Sequence, residues 1–293
     1  MKTKMTQQEY KILIENELDK CFMGFNELPQ KGLAEAMRYS LLAGGKRIRP
    51  MLVLEFCRIS GGDIEKAIPV ACAIEMLHTY SLIHDDLPCM DNDDLRRGRP
   101  TNHVIYGECT AVLAGDTLQA EAFGSILRSE LPAERRAECA MLLADAVGLD
   151  GMCGGQYLDM QGEGSVLTEQ QLTEINSRKT GALLVAACQM GVAAAGGTEV
   201  QLAAAGHFGA ALGLAFQIRD DMLDVLSTDA ELGKPVGSDA QENKNTYMAL
   251  MGEEGCRSTV ERLTELAANV VCEAFEDTEF LSELAHSLAV RKN

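Results

Sequence analysis

Positive charge is scarce in this chain of 293 residues. Lysine and arginine number 26 against 44 aspartates and glutamates, a formal net charge of −18. A surface that acidic disfavours non-specific docking on nucleic acid or on anionic membranes. An anionic substrate would need a locally basic or metal-loaded site to overcome that field. Long apolar runs are missing too: no stretch approaches the ~20 residues that span a bilayer. The N-terminus, MKTKMTQQEYK, has no apolar segment of signal-peptide length. The ten cysteines include no CxxC pair, and Cys72, Cys188 and Cys272 sit in apolar stretches. Reduced core thiols in a cytoplasmic protein are the expectation, not a disulfide framework or a zinc site. Proline (7) and aromatic residues (5%) are few, and no sustained alternation of β-branched residues supports strands.

What remains is helical material. Hydrophobic residues make up 46% of the chain, enough for a large core, and Ala, Leu, Glu and Met dominate. The pattern predicts helices over roughly 6–25, 31–42, 48–60, 64–87, 103–128, 132–150, 168–191, 198–225, 241–251, 255–273 and 277–290. Loop signals separate them, among them Gly44-Gly45, Gly61-Gly62, Gly151 through Gly155, and Leu232 to Gly237. None is a long polar linker. One all-α domain over residues 1–293 is therefore expected.

Two long apolar helices end in aspartate clusters. In Phe216-Gln217-Ile218-Arg219-Asp220-Asp221-Met222-Leu223-Asp224, Asp220 and Asp224 are spaced i,i+4 and share one helix face. Like charges there repel, and a cation between them reverses the sign. Mg²⁺ suits such a place, because it takes one or two carboxylates plus water and phosphate oxygens. A solvated helix end is the plain alternative. The other cluster is His84-Asp85-Asp86-Leu87-Pro88-Cys89-Met90-Asp91-Asn92-Asp93-Asp94. Asp85 and Asp91, six apart, would face different ways on an ideal helix. Pro88 predicts that the chain leaves the helix near Leu87 and bulges, which lets Asp91 return toward Asp85.

Basic residues flank both clusters. Leu95-Arg96-Arg97-Gly98-Arg99-Pro100 follows the first cluster, and Gly44-Gly45-Lys46-Arg47-Ile48-Arg49-Pro50 opens a helix. Guanidinium groups match phosphate oxygens in a bidentate way, and a helix N-terminus favours an anion. A salt-bridged surface loop remains the alternative reading of the arginines.

These residues resemble the trans-type isoprenyl diphosphate synthases, bacterial farnesyl diphosphate synthases above all. GGKRIRP at 44–50, HTYSLIHDDLPCMDNDDLRRGRPTNH at 78–103, GGQYLD at 154–159, RKTGAL at 178–183, FQIRDDMLD at 216–224 and GKPVGSD at 233–239 occur in the family's order. The resemblance implies a helical bundle around a deep cavity, with the two Asp motifs across its mouth. It implies Mg²⁺-dependent ionisation of an allylic diphosphate, attack by isopentenyl diphosphate, and loss of a proton. Carried over by position, Asp85, Asp86, Asp91, Asp220 and Asp224 hold metal. Lys46, Arg49, His78 and Arg97 hold isopentenyl diphosphate. Arg96, Lys179 and Lys234 contact the allylic diphosphate, and Lys179, Thr180 and Gln217 are the catalytic set at the reacting carbons. Gln156 and Lys244 resemble family positions with looser roles. Arg47 ranks behind Lys46 and Arg49. A homodimer is expected by analogy.

Product length rests on the residues before the first Asp pair. Tyr80 lies about 7.5 Å along the helix from Asp85 but ~140° round it, whereas Ser81 is nearer the Asp85 face. Tyr80, Ser81 and the inserted Pro88-Cys89 resemble the farnesyl synthases. Parts of 84–103 also resemble plastid geranylgeranyl synthases, so that product is the alternative. A terpene cyclase or a non-catalytic prenyltransferase subunit ranks lower, because both Asp motifs and GGKRIRP are intact.

Overall fold

Ala182–Ala195 carries a single polar side chain, Gln189, and is apolar all round. A helix of that kind belongs in the centre of a bundle, and other helices surround this one. The computed structural model describes residues 4–25, 27–226 and 245–291. In chain order the helices are α1 (Gln7–Lys20), α2 (Lys31–Leu41), α3 (Ile48–Ile59), α4 (Ile64–Asp85), α5 (Asn102–Tyr106), α6 (Glu108–Arg128), α7 (Ala133–Val147), α8 (Met152–Gly162), α9 (Glu169–Asn176), α10 (Ala182–Ala195), α11 (Glu199–Leu226), α12 (Tyr247–Ala274) and α13 (Glu279–Val290). A short hairpin, β1 (Leu95–Arg96) and β2 (Arg99–Pro100), follows α4. A π-helical turn, Ser177–Gly181, joins α9 to α10.

The central α10 packs on α3, α11, α7 and α4. Gly191 allows one close approach, that to α3. A Cβ at Gly191 would fall 2.4 Å from the Val53 carbonyl oxygen of α3, so only glycine lets the two backbones pack so near. The buried apolar residues form one cluster, from Tyr10 on α1 to Leu288 on α13. Two arginines are buried with it, each beside a glutamate: Arg47 with Glu75, and Arg58 with Glu55. No helix among the described residues is long and apolar enough to cross a membrane.

The all-α expectation holds, with local corrections. The helix predicted over 103–128 breaks at Gly107, whose φ of 83° is left-handed and divides α5 from α6. The helix predicted over 168–191 contains the π-turn. Gly151 to Gly155, predicted as loop, instead opens α8, and the glycines serve a close packing described below. The gap predicted near 252 is a kink: Gly252 has a φ of 68° inside α12. Residues 227–244, which hold the start of the helix predicted over 241–251, lie outside the described residues.

Candidate active site

The first Asp cluster turns back on itself where Pro88 predicts. Helix α4 ends at Asp85, with Asp86 as its cap. The Asp91 N–H donates to the Asp85 carbonyl at 2.9 Å, and Met90 and Asn92 N–H groups donate to Leu87 at 2.8 and 3.1 Å. Asp91 is thereby returned to Asp85 although six residues separate them. Burial pushes the Asp85 carboxyl up to about 6; the nearby Lys179 ammonium opposes this, while Asp91 and Asp86 add to it. Asp86 is buried and accepts from Arg96 Nε at 2.7 Å. Burial raises its pKa and Arg96 counteracts the rise.

The hairpin sends two adjacent arginines to different places. Arg97 and Gly98 both have positive φ, 53° and 72°, as a tight two-residue hairpin turn demands. Arg96 pairs with Asp86, whereas Arg97 donates to the Gly44 carbonyl and lies over Gly45. Arg97 therefore joins the GGKRIRP loop. Together they wall a cavity of about 440 Å³ lined by Lys46, Arg47, Arg49, Glu75, His78 and Arg97, with Phe216 at its edge. This is the concentrated positive charge that an acidic chain needs to hold an anion.

Arg49 is half-buried, its buried Nε has no hydrogen-bond partner among the described residues, and desolvation lowers its pKa. Burial, then the Arg49, Arg97, Arg96 and Arg47 charges, push His78 well below the usual imidazole range. His78 is neutral at physiological pH and offers an N–H, not a charge. Burial also lowers Lys46, followed by Arg291, with Asp220 acting against them.

Arg49 and His78 also line a second, larger cavity of about 560 Å³. Its polar rim includes Asp85, Lys179, Thr180 and Gln156. Its apolar wall includes Tyr80, Leu87, Met152, Cys153, Met160 and Leu183. Both Tyr80 and Ser81 reach this wall, so the angular offset of Tyr80 from Asp85 does not keep its ring out. The glycines of α8 bring the rim together: a Cβ on Gly155 would lie 2.3 Å from the Lys179 amide nitrogen. Lys179 Nζ meets Asp159 of α8 at 2.6 Å. Thr180 Oγ1 donates to Gln217 Oε1 at 3.4 Å, and Gln217 Nε2 donates to Asp221 at 3.0 Å. Asp221 also accepts from the Tyr247 N–H at 2.7 Å. It therefore ties α12 to α11.

The second Asp cluster has a partner that the motifs do not contain. Arg291, just beyond α13, pairs with Asp220 and stacks on the Phe216 ring at 3.8 Å. Asp224 is buried on the same helix. Lys234 and Lys244 lie outside the described residues. Sequence reasoning also passed over Glu75, Cys153, Asp159 and Arg291. Glu75 precedes His78 by three residues and Asp159 closes GGQYLD, so both had a positional signal. Arg291 and Cys153 had none.

A divalent metal fits the donor set at Asp85 and Asp91. Two nearby carboxylates, one of them reluctant to ionise, are relieved by a hard cation. Among the described residues no three His, Cys, Asp or Glu side chains converge as a finished metal cage. Mg²⁺ shared with substrate phosphates needs only one or two carboxylates.

Comparison with known proteins agrees with this geometry. The family model described as polyprenyl synthetase matches residues 30–284. The chain is 47% identical over 262 residues to the farnesyl diphosphate synthase of Geobacillus stearothermophilus, covering 88% of each chain. It is 46% identical over 264 residues to the chloroplastic geranylgeranyl pyrophosphate synthase of Capsicum annuum, covering 88% of this chain and 71% of that one. The crystal structure of an FPP/GFPP synthase from Zymomonas mobilis superposes with a TM-score of 0.85 at 33% identity, covering 97% and 99% of the two chains. With the five motifs that fall among the described residues gathered around two adjoining cavities, the chain belongs to the polyprenyl synthetase family.

Proposed function

We propose that this chain is a prenyltransferase, folding as a single domain, that condenses isopentenyl diphosphate with dimethylallyl or geranyl diphosphate to give farnesyl diphosphate. The observation that carries this reading is the shared wall: Arg49 and His78 line both the basic cavity and the long, largely apolar one. Two diphosphates can then approach each other across two residues.

The basic cavity takes isopentenyl diphosphate. Lys46, Arg49 and Arg97 supply charge, and neutral His78 supplies an N–H. The larger cavity takes the allylic chain, its diphosphate lying at the rim by Asp85 and Lys179. Arg96, held by Asp86, and Lys234 belong to the same proposed anion site. Mg²⁺, held by Asp85, Asp86, Asp91, Asp220 and Asp224, would neutralise charge on the departing diphosphate. Lys179 adds a fixed positive charge beside it. Thr180 and Gln217 present a hydroxyl and an amide oxygen where the allylic carbons become positive, and their mutual hydrogen bond orients both. The apolar wall excludes water, which would quench a carbocation. The isopentenyl double bond attacks the allylic carbon as the carbon–oxygen bond breaks, and a proton then leaves the new chain.

A cytoplasmic location and a homodimer complete the reading. Val104, Ile105, Val112 and Leu113 on α5 and α6 are all exposed large apolar residues, a surface that suits a second copy. The similarity to a chloroplastic geranylgeranyl synthase favours geranylgeranyl diphosphate as the second reading. Incubating the purified chain with isopentenyl and geranyl diphosphates plus Mg²⁺ tests both. Farnesyl diphosphate as the end product supports the proposal, and a longer end product supports the second reading. A released hydrocarbon, or no turnover, would overturn both in favour of a cyclase or a non-catalytic subunit.

A further inference from the structure

We infer that Glu75 is a positioning residue for isopentenyl diphosphate and that it acts through Arg47. This rests on the assignment of the basic cavity to that substrate. Among the described residues Glu75 is the one carboxylate lining the cavity, where four cationic side chains and His78 accompany it. It lies on α4, three residues before His78.

Its partner is Arg47, the arginine of GGKRIRP whose guanidinium is committed to protein groups. Arg47 Nη1 meets Glu75 Oε1 at 2.5 Å, and Nη2 donates to the Leu41 carbonyl at 2.8 Å. Its Nε lies 3.9 Å from Glu15 Oε1 on α1. The two partners' side chains are 1% and 4% exposed. One guanidinium thus ties the end of α2 and α4 to the start of α3, with the Glu15 carboxylate of α1 nearby. Both of its terminal nitrogens are engaged, so its service to the substrate is indirect.

The backbone explains what the tie is for. Arg47 has φ 53° and ψ 33° at the N-cap of α3. A left-handed conformation is unfavourable for a residue with a side chain, and it persists where surroundings impose it. That turn directs Lys46 to one side and starts the helical turn that carries Arg49. If the tie is lost, a buried cation is left without its counter-charge and must reorganise. The turn is the part free to move with it. Glu75 also draws on Arg49 and Arg97 electrostatically, favouring their charged forms. It occupies Arg47, while Lys46, Arg49 and Arg97 line the same cavity.

The test is a double-mutant cycle on KM, with Lys46→Ala in parallel. Glu75→Gln keeps the shape and removes the charge. It should raise the KM for isopentenyl diphosphate about tenfold and leave that for geranyl diphosphate within about twofold. Arg47→Gln should do the same, and the double variant should be no worse than either single one, because coupled residues are non-additive. Arg47→Lys, which keeps a buried cation, should show an intermediate rise. If Glu75→Gln does not fold, Arg47→Lys decides the matter, and an unchanged KM for it overturns the inference. An unchanged or lowered KM in a folded Glu75→Gln also overturns it, whatever happens to thermal stability. So do additive effects in the double variant. If Lys46→Ala also leaves that KM unchanged, the cavity assignment itself has failed and takes the inference with it. A raised KM for Lys46→Ala with none for Glu75→Gln means that the inference alone has failed.

Discussion

The Tyr80 hydroxyl and the Cys153 thiol are hydrogen-bonded at 3.1 Å, joining α4 to α8 across the wall of the large cavity. The Tyr80 ring also meets His84 edge-on, with centroids 5.1 Å apart. A ring clamped at both its edge and its hydroxyl cannot swing aside for a growing chain. Tyr80→Ala should therefore lengthen the main product toward geranylgeranyl diphosphate and beyond. Tyr80→Phe, which keeps the bulk, should change length little. Chromatography of the dephosphorylated products checks both. An unchanged distribution in Tyr80→Ala means that the chain ends elsewhere.

Lys46 lines the basic cavity between Gly45 and the Arg47 turn, and brings a positive charge to it. Charge-assisted hydrogen bonds contribute about 1.5–3 kcal/mol. Lys46→Ala should raise the KM for isopentenyl diphosphate about 10- to 100-fold, with a smaller effect on kcat. Steady-state kinetics with each substrate varied in turn will show it. A change confined to the allylic substrate would mean that the two sites are exchanged.

The bulge at Asp91 was legible from Pro88, because the constraint is local: a proline forbids the helix, and the carboxylate must go somewhere. The helices were legible from apolar spacing. Helix α8 was hidden, because Gly151, Gly154 and Gly155 read as turn residues. Their use is tertiary, allowing α8 to lie against the Lys179 backbone, and no local pattern carries that. The fate of Arg47 was equally hidden. Three basic residues in a row of four look alike in sequence, and only the buried Glu75 marks Arg47 as the one whose terminal nitrogens are held by the protein. Arg291 lies 71 residues from Asp220, and nothing near either residue announces the pairing.

That pairing places a cation on a proposed metal ligand. Arg291 stacks on Phe216, donates to its carbonyl at 3.3 Å and pairs with Asp220, while Arg219 holds the Arg291 carbonyl at 2.6 Å. Mg²⁺ must compete with this guanidinium for Asp220. Arg291→Ala should lower the Mg²⁺ concentration needed for half-maximal activity several-fold, and cost about 1–2 kcal/mol of stability from the lost stack and pair. A Mg²⁺ titration of initial rates measures the first effect and thermal unfolding the second. A higher Mg²⁺ requirement would show that Arg291 assists the metal site instead of competing for it.

Asp85 offers a test that separates metal binding from folding. Its carboxyl is raised from an ordinary value of 3.8 to about 6, chiefly by burial. Below about pH 4 it is protonated in both the folded and unfolded states and costs nothing. Between about pH 4 and 6 the unfolded chain ionises first, so stability falls as pH rises. Above about pH 6 the loss is complete and constant. Asp85→Asn removes this penalty while keeping the shape. In metal-free protein at pH 8 the variant should be more stable than the parent by on the order of 1–3 kcal/mol, or about 2–6 °C in Tm, and the two should converge at pH 4. Activity should move the other way, falling by about 10²-fold or more at saturating Mg²⁺. Adding Mg²⁺ with a non-hydrolysable allylic diphosphate should stabilise the parent and leave the variant nearly unmoved. Equal stabilisation of both proteins would remove Asp85 from the metal site, and a less stable metal-free variant at pH 8 would mean that its burial costs nothing.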